Sequence, residues 1–129
     1  MSYYFTKILD TDFDQSIEKV TEELKKEGFG ILTQIDVKET FKKKLDVDFR
    51  KYRILGACNP SLAHQAITEE SRIGTMLPCN VIVQELENGK TEVSAVNPVA
   101  SMQAVKNDQL EPVASKVKEK LEKVISNLN

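Results

Sequence analysis

From Gln109 to Leu128, apolar side chains recur at Leu110, Val113, Ala114, Val117, Leu121, Val124, Ile125 and Leu128. The spacing is helical and draws an apolar stripe along about five turns. A stripe of that length cannot face water. It must therefore lie against a sheet or another chain, and the rest of the sequence supplies the strands for a sheet.

Strand signals come in quick succession. Tyr3 to Ile8 is aromatic and β-branched, Ile31 to Val37 alternates Ile31, Thr33 and Ile35 with Leu32, Gln34 and Asp36, and Phe49 to Ala57 reads as a third strand. Val81 to Leu86 and Thr91 to Val96 flank Asn88-Gly89, the strongest hairpin signal in the chain. Three helices interrupt them. Asp12, with Gln15 three residues on, caps a helix whose Phe13, Ile17, Val20 and Leu24 share a face and which Gly28 stops. Lys38 to Leu45 is predicted as a short helix with Val37, Phe41 and Leu45 on one side, and Asn59-Pro60 opens another that runs to Glu70. Ser71 to Pro78 reads as a loop. Short connections and the hairpin favour an antiparallel meander over a doubly wound parallel sheet. The expected fold is α+β, in β-α-β(4)-α order, with the terminal helix on the sheet and residues 1–129 forming one domain.

Bulk numbers narrow the function classes. A chain of 129 residues can bury enough surface to fold without disulfides or a structural metal. Its 18 basic and 20 acidic residues give a net charge of −2, which supplies no global field for nucleic acid or anionic lipid. The basic run Lys42-Lys43-Lys44 with Arg50, Lys51 and Arg53 is interrupted by Asp46 and Asp48, so solvated faces explain it better than nucleic-acid binding. No apolar run approaches the ~18 residues of a membrane span. Met1-Ser2-Tyr3-Tyr4 lacks the basic and apolar segments of a secretory signal, so the expected compartment is the cytoplasm, with Cys58 and Cys79 as reduced thiols.

Chemistry concentrates at those two thiols. If the third and fourth strands are antiparallel neighbours, Cys58 at the end of one and Cys79 at the start of the other share a rim, and the 20 residues between them leave and return there. Cys58 stands just before a helix N-terminus, where the helix dipole favours a thiolate. Asn59 and Asn80 offer donors to an anion or carbonyl. His64, the only histidine, lies one turn into that helix, so Cys58, His64 and Cys79 form a candidate zinc or copper set. Three readings stay open: cysteines that only pack, a thiol or metal site, and a ligand pocket using the asparagines. The Cys58-to-His64 spacing matches no standard metal pattern. P-loop, G-x-G-x-x-G and G-x-S-x-G motifs are absent, and nothing supports an enzyme.

Several of these segments carry a resemblance. Gly56-x-Cys58-Asn59-Pro60-x-x-Ala63, Gly74-x-x-Leu77-Pro78-Cys79-Asn80-Val81-x-Val83, the Gly89 turn and Asn97-Pro98 resemble the domain of unknown function 302 family along essentially the whole chain. The resemblance implies a strand, a helix, four antiparallel strands and a long helix, similar to the curved sheet of TATA-binding-protein-like folds, and a homodimer. It adds Asn97 to the candidate site and implies that the cysteines belong to a subset of the family. Asn97 stands where many members carry aspartate, which removes a carboxylate there. No reaction is carried across. The expected function is a non-catalytic binding or accessory module with a metal or small ligand at Cys58, Asn59, Cys79, Asn80 and Asn97. The alternatives are a thiol-dependent enzyme or redox protein using Cys58, and a purely structural homodimer that acts through its surface or open strand edges.

Overall fold

The computed structural model describes residues 2–129. Strand β1 spans Tyr4–Leu9, and helix α1, Phe13–Lys26, follows at once. Asp12 accepts the Gln15 N–H at 2.8 Å, the cap that its position announces. At the other end Gly28 takes φ +85, and the amides of Gly28 and Phe29 donate to Lys25 and Leu24, the paired bonds of a Schellman stop. Phe13, Ser16, Val20 and Leu24 are buried along one side of the helix. Ile17 is half-buried at the edge of the core. Ser16 is the unexpected member, and its hydroxyl shares a hydrogen bond with Thr11 at 2.8 Å.

Strand β2, Gly30–Asp36, does not keep the clean alternation expected of it. Its register against β3, Tyr52–Cys58, shifts between Ile31 and Thr33, so Leu32 sits in a bulge and is 69% exposed. Between them lies α2, Val37–Leu45, capped by Asp36 through the Glu39 amide. No α2 residue is buried, against the expectation of an apolar side: Leu45 is 65% exposed, and half-buried Phe41 meets Phe49 edge-on, with ring centroids 5.1 Å apart. The third strand starts at Tyr52, later than expected, because Phe49 turns into that aromatic cluster, with Arg50 4.4 Å above its ring. Lysines of the basic run meet acids, Lys42 with Asp46 at 3.0 Å and Lys43 with Glu39 at 2.9 Å.

Helix α3, Pro60–Glu69, and a 3-10 turn at Ser71–Met76 lead to β4, Cys79–Glu85, then β5, Thr91–Val96. Gly89, at φ +80, makes the hairpin turn, and Asn88 Oδ1 accepts the Lys90 amide at 3.0 Å. A short helix α4, Pro98–Ser101, precedes α5, Glu111–Ser126. The five strands form one open antiparallel sheet in the order β1-β5-β4-β3-β2. The α+β fold is therefore the one expected.

Helices α1 and α5 lie on one face of the sheet. Val113, Val117, Leu121, Val124 and Ile125 of α5 are buried against Leu55, Val81, Val83 and Val93 of the strands. Each such side chain contributes about 1.5–3 kcal/mol of burial. The stripe's last residue, Leu128, is 2% exposed although the helix has ended. The opposite face carries Tyr4, Ile8 and Ile35, exposed to 42%, 54% and 48%, with Ile54 paired to Ile82 at its centre. Among the described residues, no helix is long and apolar enough to cross a membrane.

Candidate functional site

Pairing of β3 with β4 decides whether a site exists. The two are antiparallel, Ala57 stands opposite Cys79, and Cys58 follows as the last residue of β3. The excursion through α3 and the 3-10 turn thus leaves and returns at one rim. There the sheet, α3, the segment after α4 and α5 do not fully close. They line a partly open cavity of about 200 Å³ with Cys58 and Cys79 both among its lining residues. Ala57 and Cys79 form the sheet side, Leu62 and Ala66 the α3 side, and Val113 and Val117 the α5 side, with Pro98 and Met102 at one end. Leu32, exposed in its bulge, and half-buried Cys58 mark where the cavity reaches solvent.

The wall is almost wholly hydrocarbon and sulfur. Among the described residues, Asn59 alone in it has a side-chain nitrogen or oxygen, and both ends of that amide are engaged. Asn59 Oδ1 accepts the Leu62 N–H at 3.3 Å to cap α3, while Nδ2 donates to the Glu27 carbonyl at 3.2 Å. Both cysteines are free thiols, and Cys79 is 7% exposed. Burial pushes the Cys79 thiol up to about 11, with the nearby charge of Cys58 adding to the rise. At neutral pH Cys79 is a neutral, apolar part of the wall.

The other expected site residues lie elsewhere. His64 is exposed and outside the wall. Leu62 and Ala66, four apart, turn α3's inner side to the cavity, and a residue two positions from either points the opposite way. The set of Cys58, His64 and Cys79 is therefore not brought together. Among the described residues, no three His, Cys, Asp or Glu side chains form a group that could hold a metal. Asn80 follows Cys79 along β4, so the pleat turns it to the opposite face, beside Tyr52 and Ile82. Asn97 is 3% exposed, but its side chain caps α4 through the Val99 amide at 3.1 Å and donates to the Ser2 carbonyl at 3.1 Å. Of the expected residues, the cavity brings together Cys58, Asn59 and Cys79.

Sequence reading missed the hydrocarbon wall itself, above all Leu32, Ala66, Met102 and Val113. One signal was available: Ala57, Ala63, Ala66 and Ala114 place small side chains on three elements that face one another, which leaves space where larger ones would fill it.

A family model described as "Domain of unknown function DUF302" matches residues 5–128. The fold is similar to the crystal structure of an uncharacterized conserved DUF302 protein from Bacillus stearothermophilus, at a TM-score of 0.91 and 29% sequence identity over 100% of both chains. No curated protein matches.

Proposed function

The chain belongs to the DUF302 family, and because that description assigns no activity, we propose its function from its own cavity: a binding module for a small apolar molecule held between the sheet and the helices. The observation that carries this reading is a cavity of about 200 Å³ whose only side-chain amide is already satisfied from within the protein. Beyond the two thiols a polar ligand would find little to bond to there, and it would lose its hydration. Apolar cavities of ~150 Å³ stay dry and accept benzene, so one somewhat larger suits roughly eight to ten carbon-sized atoms.

p-Xylene is the probe. At about five times its Kd it should stabilise the fold by about 1 kcal/mol, a rise of roughly 3–5 °C in Tm. Ala66→Leu, which builds three more carbons into the wall, should retain the fold and lose the shift. An unchanged wild-type Tm at saturating p-xylene would contradict the reading.

A second reading concerns the sheet face opposite α1 and α5, and we infer from it a homodimer. Ile35, Ile54 and Ile82 lie side by side across β2, β3 and β4, with Tyr52 and Tyr4 nearby among Gln84, Glu92 and Ser94, a part-apolar patch of the kind that two copies share about a two-fold axis. Sedimentation equilibrium should then give twice the chain mass, 2 × 14.6 = 29.2 kDa, and Ile54→Glu should give 14.6 kDa. A wild-type chain that stays at the single-chain mass contradicts it.

A further inference from the structure

The cavity combines two features that simple apolar binding does not use. Two thiols stand in one hydrocarbon wall, and they differ in access. Cys79 is 7% exposed, and its thiol makes no hydrogen bond among the described residues. Cys58 is half-buried at the junction of β3 and the N-terminus of α3, and its thiol has no hydrogen-bond partner among the described residues. A molecule held in the cavity would therefore lie beside Cys58, the more exposed of the two cysteines that line it.

We propose that the cavity captures small apolar molecules bearing a conjugated carbon–carbon double bond next to a carbonyl, through covalent addition of Cys58; this rests on the apolar-ligand reading above. Cys58 gives its proton to solvent, and the sulfur then attacks the β-carbon. The S–C bond forms as the C=C π bond breaks, and that electron pair moves to the carbonyl oxygen as an enolate. The enolate takes a proton from water at the α-carbon. The net change adds S–H across the double bond, with no oxidant or reductant. Cys79 remains a neutral wall group, shielded by its own burial. Selectivity comes from the wall: an apolar acceptor is concentrated beside Cys58, whereas a charged alkylating agent is not.

Cinnamaldehyde, an enal of suitable size, tests the proposal on the intact protein by mass spectrometry and peptide mapping. The expected result is one adduct, on Cys58, formed at least about tenfold faster than with glutathione at the same pH. Saturating p-xylene should return the rate to the glutathione level, and iodoacetate should show no such acceleration. Cys58→Ala should form no cysteine adduct with cinnamaldehyde. An adduct that forms no faster than with glutathione, or that p-xylene does not slow, overturns the proposal. If the p-xylene shift persists in that case, the binding reading stands and only covalent capture falls; if the shift is also missing, both fall.

Discussion

Gly56→Ala is expected to lower stability by about 1–3 kcal/mol, although it adds a single methyl group. Gly56 is buried in β3 with β2 on one side and β4 on the other. A Cβ there would run into the Thr33 hydroxyl oxygen and would lie 2.7 Å from Cγ of the Pro78 ring. Neither neighbour is a flexible chain end, because Thr33 is branched at Cβ and the proline is cyclic. Relief requires β2 or the Pro78 segment to move, and both border the cavity. Thr33→Ala in the Gly56→Ala background should recover part of the loss, because it removes the nearer obstacle and leaves Pro78 in place. Denaturant titration of the four proteins measures the coupling. Equal stability of Gly56→Ala and wild type would show that the strands are not packed as closely as described.

The second large effect is a pH dependence that belongs to one thiol. An unperturbed thiol ionises near 9.0, and Cys79 in the fold near about 11. Below the lower value both the folded and unfolded chains hold the proton, so Cys79 adds no pH dependence. Between the two values the unfolded chain releases it while the folded chain keeps it, and stability falls as pH rises. Above the higher value both are ionised and the loss levels off at roughly 2–3 kcal/mol. Tyrosines and lysines also titrate in this range, so the quantity to follow is the difference between wild type and Cys79→Ala. That difference should shrink across the interval as wild type loses its advantage. Parallel curves for the two proteins would mean that Cys79 is not held in a dry environment.

Both predictions arise where local sequence gives way to tertiary packing, and the same boundary separates what could be read in advance from what could not. Asp12, Gly28, Asn59-Pro60 and Asn88-Gly89 act through bonds to their own neighbours, so their roles were legible and the caps and turns sit where they were expected. The α5 stripe was legible because its period is long and uninterrupted. The common rim of Cys58 and Cys79 followed from antiparallel order alone. His64 failed as a partner because its phase on α3 relative to Leu62 turns it outward, a matter of helical angle and not of distance along the chain. Asn80 failed for the corresponding reason in a strand. The bulge at Leu32 and the aromatic cluster of Phe41 and Phe49 depend on how β2 and β3 meet, which no local pattern announces. The cavity is the furthest from the sequence, since it is made by side chains that are too small to meet across a space.

The account turns on that space being dry, accessible and shaped for hydrocarbon. A crystal of the protein under xenon pressure tests this most directly, because xenon occupies apolar cavities and is readily located by its electron density. The account predicts a xenon atom bounded by Cys79, Ala66 and Val113 in wild type and none there in Ala66→Leu. Ordered water in that position, or a wall that has closed on itself, would contradict it.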